Sequence, residues 1–394
     1  MSSVLIVAGE NSGDQHGAAL VEAFDRLAPG VTFFGVGGAH LQRAGVRLCV
    51  TLQDLAVMGI FEIVSHLPRI KRIYDRLKAE IRNQNPAAAV LIDSPDFNLR
   101  LARFLKKRKI PVLYYISPTV WAWRKRRLKL IRRTVAKMLL IFPFEESLYA
   151  EHGIPATFVG HPLLERIDTS RTRAEIEQKY GFDPRRPLVA LLPGSREMEI
   201  KHHMPVVVAA ARSLAEQNGA QFALLLAEGL PASAVRRYIP KEIEGTIRIL
   251  DSDYFDALAA SDLALSACGT ANLEAALLET PLVAFYRISP LTYALGKPFV
   301  KINRYSIVNI LAESDVAPEL IQTQFTPENL TREAQQLLNS AARRDAMRSR
   351  FREIRQTLGG GPASRKAAQE LKSILAASQE EKPAPGRPHT AYQV

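Results

Sequence analysis

The sequence predicts an α/β protein with two domains, each built on a doubly wound parallel sheet. A chain of 394 residues is too long for one ordinary hydrophobic core. Short runs rich in β-branched residues alternate with longer amphipathic stretches, which is the pattern of βαβ units. This alternation starts again after DPRRP at residues 183–187. We therefore expect a second domain of the same kind as the first.

In the first half, each predicted strand is a short apolar run, and most are followed by a stretch of helical periodicity. The predicted strands are 4–7, 33–36, 88–92, 112–116, 138–141 and 156–159. The predicted helices are 17–27, 99–107, 125–136 and 145–152, with only a loop after the second strand. The domain boundary is expected within residues 160–171.

The second half repeats the pattern. Its predicted strands are 188–192, 221–225, 247–250, 263–266 and 282–285, and its predicted helices are 203–217, 232–239, 254–260 and 271–278. Residues 332–375 are expected to be helical, with a turn at GGGP, residues 359–362. The proline-rich residues 379–394 are expected to form a disordered tail without a catalytic role.

Composition excludes several classes of protein. A 47% hydrophobic and 23% charged composition is typical of a soluble globular chain. The two cysteines, Cys49 and Cys268, cannot build a disulfide framework or a thiolate zinc site, so a cytosolic protein is expected. The N-terminus lacks a basic leader, and no apolar run reaches the roughly 18 residues of a spanning helix. Any membrane contact is therefore expected to be peripheral.

The positive charge is concentrated in one segment. The chain has 52 Lys and Arg against 40 Asp and Glu, and residues 97–144 contain 14 of the basic residues and no acidic one. Such a segment attracts phosphate in a nucleic acid, an anionic lipid or a phosphorylated substrate. The alternative is a solvated helix face. No helix-turn-helix, zinc or RNP signature accompanies it, so we expect no nucleic acid partner.

An apolar stretch precedes this basic segment. Residues 57–64 are almost entirely apolar, and several Lys and Arg follow between positions 69 and 78. An apolar surface bordered by cations is how a peripheral protein docks on an acidic bilayer. A fully buried helix would have the same sequence, so both interpretations stay open.

Polar, glycine-rich segments follow the predicted strands of the first half, where ligands bind in open parallel sheets. They are AGENSGD from residue 8, GVGG from residue 35 and DSPDFN from residue 93. The first motif lacks the glycine spacing of a dinucleotide fingerprint, and no convincing helix follows the second, so NAD is excluded. Asp93 can serve as a general base for a hydroxyl. The alternative is that it caps the next helix, although Asp96 is nearer the predicted helix start.

Two similar segments follow strands of the second half. In LPGSREME, the residues Gly194, Ser195 and Arg196 offer backbone donors, a hydroxyl and a guanidinium to a diphosphate. In SACGTANLE, Gly269 and Thr270 allow close approach of an anion. Glu274 can bind two ribose hydroxyls, or act as an N3 capping partner of the helix.

Two other patterns look like metal sites. Asp251-Ser-Asp253 resembles a metal-binding DxD, but it precedes a short helix and fits N-cap chemistry better. His202 and His203 are adjacent, so they do not form an i, i+4 ligand pair, and a surface position is expected. We therefore expect neither a metal nor another cofactor.

Taken together and in order, these motifs resemble the lipid-A-disaccharide synthase family of inverting glycosyltransferases. The resemblance extends to about residue 375. It rests on AGENSGDQHGA, GVGG, LAVMGIFEIV, IDSPDFN, YYISPTVWAWRKRR, PFEESLY, FVGHPL, LLPGSRE, SACGTANLEAAL, FYRISPLTY and SIVNILAE. It implies a GT-B architecture, with two Rossmann-like domains facing across a cleft. The implied domains are 1–168 and 169–344, with a C-terminal helix at about 345–375 packing back on the first.

The resemblance also implies substrates and roles. The donor would be UDP-2,3-diacylglucosamine and the acceptor 2,3-diacylglucosamine 1-phosphate, used at the cytoplasmic face of the inner membrane. Asp93 matches the base, with Glu10 close by. Arg196, Glu274 and Asn309 match positions associated with donor binding or activity. Asn11 departs from the family pattern, so no role is transferred to it.

The resemblance also suggests a function for the basic stretch at residues 124–127. Arg124, Lys125, Arg126 and Arg127 would hold the acceptor 1-phosphate or anionic lipid headgroups. A homodimer stays open, because the sequence does not fix the oligomeric state. Two rivals remain: a UDP-N-acetylglucosamine epimerase of the same architecture, and a non-catalytic protein that binds anionic lipid or nucleic acid.

Overall fold

A parallel sheet organises each half of the chain. The computed structural model describes residues 2–56, 63–121, 126–289, 293 and 303–380, without the side chains of residues 55–70 and 379–380. The first sheet comprises β1 (Ser3–Ala8), β2 (Thr32–Gly37), β3 (Arg47–Thr51), β4 (Ala88–Ile92), β5 (Val112–Tyr115), β6 (Lys137–Leu140) and β7 (Ala156–Phe158). The second comprises β8 (Leu188–Leu192), β9 (Gln221–Leu225), β10 (Ile247–Leu250), β11 (Leu263–Ala267), β12 (Leu282–Tyr286) and β13 (Glu319–Ile321).

Helices connect these strands. In the first half they are α1 (Asn11–Leu27), α2 (Ala39–Arg43), α3 (Leu52–Ala56), α4 (Ile63–Gln84), α5 (Pro95–Lys107), α6 (Arg127–Thr134) and α7 (Glu145–Glu151). Those that follow are α8 (Leu163–Arg166), α9 (Arg173–Tyr180), α10 (Glu197–Asn218), α11 (Ala232–Arg236), α12 (Lys241–Glu244), α13 (Tyr254–Ala260), α14 (Thr270–Leu277), α15 (Ile307–Leu311), α16 (Pro327–Leu338), α17 (Ala341–Thr357) and α18 (Ala363–Glu380).

Both sheets have the order of a doubly wound fold. The first runs β3-β2-β1-β4-β5-β6-β7 and the second β10-β9-β8-β11-β12-β13, with all pairs parallel. The direction of winding therefore reverses between β1 and β4, and again between β8 and β11. Ligands bind at such switch points, outside the carboxyl ends of the strands.

The central strands are apolar along their whole length because helices cover both faces of the sheet. In the first sheet, one apolar cluster includes Leu77, Leu99 and Leu128, from α4, α5 and α6. A second cluster, on the other face, joins Leu20 of α1 to Leu371 of α18. The predicted α/β class with parallel sheets is therefore confirmed.

The chain separates into two compact units, one of residues 1–162 with 360–394 and one of residues 163–359. The C-terminal segment divides between them, which differs from the expected return of residues 345–375 to the first domain. Helix α17 packs on α14 in the second unit. Helix α18 alone packs on α1 in the first, and Lys137 Nζ donates to Glu370 Oε2 at 2.7 Å. Helix α18 continues to Glu380, and residues 381–394 of the expected tail lie outside the described residues.

Several elements were missed or displaced in the sequence-based prediction. A short helix, α2, and a strand, β3, stand where only a loop was expected after β2. Strand β13 was also missed. Helix α10 starts at Glu197 rather than 203 and continues through Pro205. Within the described residues, none of the helices combines the length and apolarity that a membrane crossing requires.

Candidate active site

The loops after β1 and β4 meet at the switch point of the first sheet. Strand pairing places Ala8 beside Ile92, so the next residues, Gly9 and Asp93, leave the sheet side by side. A Cβ atom on Gly9 would lie 2.3 Å from Ser94 Oγ. Only glycine permits so close an approach, and the two predicted residues Glu10 and Asp93 are brought to the same edge of the sheet.

The backbone of Asp93 is held from both sides. Its N–H donates to the Tyr115 carbonyl at 3.0 Å. Its carbonyl accepts from Tyr114 Oη at 2.5 Å and from Asn98 Nδ2 at 2.8 Å. Asp93 and Ser94 have φ angles of 46° and 41°, a left-handed conformation that costs free energy in residues with a side chain. These hydrogen bonds hold the strained turn and fix the position of the Asp93 backbone, from which the carboxyl extends.

The electrostatics of Asp93 suit a base. Burial, and then the negative charge of Glu10, raise the pKa of the Asp93 carboxyl to about 6, although the Ser94 backbone donor partly offsets the rise. A carboxylate with this pKa is ionised at neutral pH and binds a proton more readily than an ordinary aspartate. Glu10 is the exposed N-cap residue of α1.

Asp93 and Asp96 do not cap helix α5. The N-cap position is Ser94, and its side chain makes no capping hydrogen bond. The Asp96 carboxylate instead accepts from Arg127 Nη2 at 2.5 Å. The capping alternative for these two residues is therefore wrong, and an ion pair links the DSPDFN segment to the basic stretch.

Asp14, Asn98 and Tyr114 support the site but were not identified from the sequence. Asp14 Oδ1 accepts the N–H of Gly38 at 2.6 Å, and Oδ2 accepts that of His40 at 2.9 Å. This buried carboxylate ties the GVGG loop to helix α1. An aspartate or asparagine on the first turn of a helix after a strand is the available signal, but it also fits ordinary capping.

Among the residues that the structure describes, the basic residues of segment 97–144 do not form one patch. Arg126 is exposed, Arg127 pairs with Asp96, and Arg124 and Lys125 lie outside the described residues. Helix α5 starts at the edge of the sheet that carries Asp93, so its exposed end at Lys106 and Lys107 lies toward the opposite edge. The positive charge of the described residues is therefore distributed over two edges of the sheet, and only part of it is near Asp93. The apolar residues 57–62 also fall outside the described residues, as do the side chains of 63 and 64.

In the second unit, the loop after β8 is already bound by a carboxylate. Glu199 Oε2 accepts the N–H groups of Ser195 at 2.9 Å and Arg196 at 3.3 Å. A Cβ on Gly194, which has a φ of 133°, would lie 2.7 Å from this side chain. The Arg196 side chain is exposed and 3.5 Å from Glu199 Oε1. In this conformation, the guanidinium rather than the two amides is accessible to an anion.

His203 corrects another expectation. It is completely buried, with Nδ1 2.6 Å from the Pro193 carbonyl and Nε2 3.0 Å from the Arg287 N–H. The predicted surface position of His203 is therefore wrong, because this ring joins the loop after β8 to the end of β12. His202 is half-buried.

The loop after β11 is the other half of this switch point. Gly269 and Thr270 are exposed, and a Cβ on Gly269 would have no atom within 4 Å. Glu274 is 9% exposed and accepts from Tyr254 Oη at 2.7 Å. Burial raises the pKa of the Glu274 carboxyl. Since Gly269 is the N-cap, Glu274 lies beyond N3, and its capping alternative is wrong.

Asn309 is buried on α15, which packs against α14, the helix that starts at Thr270. Its Nδ2 donates to the Ala317 carbonyl and to Glu319 Oε1, both at 2.8 Å, and its Oδ1 accepts the Ala317 N–H at 2.9 Å. Both protons of the Asn309 amide are therefore used in hydrogen bonds beside β13. Asn309 borders a cavity of about 1090 Å³ beside β13, and none of the other predicted site residues lines it.

In the DxD-like segment, the Asp253 carboxylate forms an ion pair. Asp253 accepts from Lys179 Nζ at 2.5 Å and from Tyr180 Oη at 3.0 Å. Asp253 is also the N-cap residue of α13, although its side chain makes no capping bond. Its carboxylate thus joins α9 to α13.

Solved structures show the same fold. A putative UDP-N-acetylglucosamine 2-epimerase from Listeria monocytogenes matches with a TM-score of 0.66 and 16% identity, covering 98% of both chains. CalG4, the calicheamicin glycosyltransferase, matches with a TM-score of 0.60 and 15% identity, over 95% of this chain and 98% of that one. These similarities show the predicted GT-B fold.

Sequence relatives identify the family. A lipid-A-disaccharide synthase from Syntrophus aciditrophicus is 43% identical over 93% of this chain and 96% of its own length. One from Koribacter versatilis is 41% identical over 96% of this chain and 99% of its own length. The family model for lipid-A-disaccharide synthetase matches residues 4–374. The chain therefore belongs to the lipid-A-disaccharide synthetase family.

Proposed function

We propose that this glycosyltransferase makes the disaccharide of lipid A with Asp93 as its general base. It transfers 2,3-diacylglucosamine from the UDP derivative to the 6-hydroxyl of 2,3-diacylglucosamine 1-phosphate. The products are a β-1,6-linked disaccharide 1-phosphate and UDP. The observation that carries this proposal is the Asp93 carboxyl, anchored at a switch point and given a pKa of about 6 by burial and by Glu10.

The reaction is a single displacement with inversion. The Asp93 carboxylate accepts the proton of the 6-hydroxyl as its oxygen bonds to the anomeric carbon. The bond from that carbon to the UDP oxygen breaks on the opposite face, and UDP leaves with the electron pair. One base suffices here, in contrast to the paired carboxylates of a retaining glycosidase.

The donor is held by the second unit. The exposed Arg196 guanidinium neutralises charge on the diphosphate, and the backbone at Gly269 and Thr270 allows close approach. Glu274, oriented by Tyr254, accepts from ribose hydroxyls. Asn309 is a positioning residue in this scheme, since both protons of its amide are used in hydrogen bonds beside β13.

The basic stretch binds the acceptor or the membrane surface. Arg124, Lys125 and Arg126 bind the acceptor 1-phosphate or anionic headgroups, and Arg127 is ordered by Asp96. The enzyme works at the cytoplasmic face of the inner membrane, on which it is held peripherally.

Product analysis tests this function. Purified enzyme is incubated with both acylated substrates and the products are analysed by mass spectrometry and by NMR of the anomeric proton. We expect equimolar UDP and β-1,6 disaccharide 1-phosphate. The same enzyme is then given UDP-N-acetylglucosamine alone. Epimerisation of that sugar without disaccharide from the acylated pair would contradict the proposal.

A further inference from the structure

A group of buried polar side chains lies beneath the loop that follows β5, and none of them has a role so far. Glu145, the first residue of α7, is 1% exposed. Ser117 of the loop is 8% exposed, and its Oγ is 2.7 Å from Tyr149 Oη. Glu145 and Tyr149 belong to the PFEESLY segment, and Ser117 to ISPTVWAW. Two sequence motifs thus meet inside the first unit.

Two atoms of this group lack hydrogen-bond partners. They are Glu145 Oε2 and Trp121 Nε1, both buried. A buried polar atom without a partner costs free energy, so such atoms require an explanation. The Trp121 ring itself is held edge-on against Phe144, with ring centroids 5.5 Å apart.

The loop above Glu145 is strained and lies beside the base. Ile116 has a φ of 69°, which is unfavourable for a β-branched residue. Such strain persists only where surrounding contacts impose it, and it concentrates at functional sites. The preceding residue, Tyr115, accepts the Asp93 N–H. The loop at residues 116–121 therefore starts beside Asp93.

We propose that Glu145 is a positioning residue for the acceptor, which in its protonated form supports the loop at 116–121 beside Asp93. The neutral carboxyl packs under Ser117 and Trp121 and keeps the strained loop in place. Loss of its proton puts a charge into this interior and releases the loop. The positioning of the acceptor by this loop rests on the proposed function, whereas the support of the loop by Glu145 does not.

The charge state of the Glu145 carboxyl follows from its burial and its neighbours. Burial raises the pKa of the Glu145 carboxyl to about 8, and hydrogen bonds from Ser117 and the Phe142 backbone offset part of the rise. Tyr149 is the titratable group facing it, and burial raises the pKa of that phenol too. Both groups are thus neutral at pH 7. Above about pH 8 the carboxylate forms, so support for the loop weakens as pH rises.

Kinetics with both substrates test the role. Glu145→Gln imitates the protonated carboxyl, so we expect acceptor KM at about pH 7 within about twofold of the parent, and little change up to about pH 9. In the parent, acceptor KM should rise about fivefold or more over that range. Glu145→Leu retains the volume without hydrogen bonds and should raise acceptor KM at both pH values, with donor KM unchanged. Glu146→Gln, at the exposed neighbouring position, is the matched control and should follow the parent.

Tryptophan emission gives a test without turnover. The chain has two tryptophans, so Trp123→Phe leaves Trp121 as the reporter. We expect its emission to titrate with a midpoint near pH 8, and this transition to vanish when Glu145→Gln is added. Identical titrations in both proteins, or none in either, would overturn the inference. If no disaccharide forms at all, the proposed function fails and the emission experiment alone decides the role of Glu145.

Discussion

Replacing Asp93 by Asn is expected to lower kcat by a factor of about 100 or more, because the amide cannot accept the proton of the acceptor hydroxyl. The KM values should change much less, since the substrates are bound mainly by other groups. Initial rates of UDP release at saturating substrate measure the effect. A variant that keeps more than about a tenth of the parent kcat would contradict the role of Asp93 as the base.

The Asp93→Asn variant should be at least as stable as the parent, although its kcat is lower. Since the pKa of Asp93 is raised to about 6, the folded state is penalised for holding the carboxylate above that pH. The neutral Asn removes a penalty of up to about 3 kcal/mol at pH 8, so thermal denaturation should show an equal or higher Tm. Asp25→Asn, an exposed change on α1, is the control and should alter neither kcat nor Tm. Loss of activity together with a lower Tm would instead indicate a folding defect.

Gly35→Ala is expected to have the largest effect on stability, about 3–5 kcal/mol. Strand pairing places Gly35 beside Ile6, and a Cβ atom at Gly35 would lie 1.8 Å from the Ile6 carbonyl oxygen. Its φ of 153° is also one that L-residues rarely adopt. The new methyl group must push β1 and β2 apart, and β1 leads directly to Glu10. Denaturant unfolding of the purified variant measures the loss.

Gly30→Ala separates the effect of the steric clash from the effect of the unfavourable φ. Gly30 has a φ of 93°, but a Cβ there would have no atom within 4 Å. We expect a loss of only about 1–2 kcal/mol, from backbone strain alone. If both variants were equally stable, the close packing of β1 against β2 would not have the importance assigned to it.

The position of Asp93 could be predicted because it depends on few rules. Parallel strands are buried apolar runs, and the residue after each one emerges at the ligand-binding edge. Asp93 and Glu10 both follow such runs, as do Gly194 and Gly269. This local pattern also explains why most strand positions were predicted.

The supporting contacts could not be predicted, because they join residues distant in sequence. Asn98 bonds back to the end of β4, and Glu199 occupies the amides of Ser195 and Arg196. Each of these residues fits ordinary helix capping equally well. A surface position was expected for His203 because it and His202 are adjacent, but its ring bonds to Pro193 and Arg287, which are distant in sequence. Strands β3 and β13 are short edge strands, for which periodicity is a weak signal.

The pH dependence of kcat/KM, measured in the parent and in Glu10→Gln, tests the central claim most directly. With the base at Asp93, kcat/KM should rise with pH to a plateau, with a midpoint near 6 that reports the pKa of this carboxyl. Removing the charge of Glu10 should move the midpoint to lower pH, since that charge helps to raise the pKa. A flat profile between about pH 5 and 7, or the same midpoint in both proteins, would contradict the assignment of Asp93 as a base tuned by Glu10.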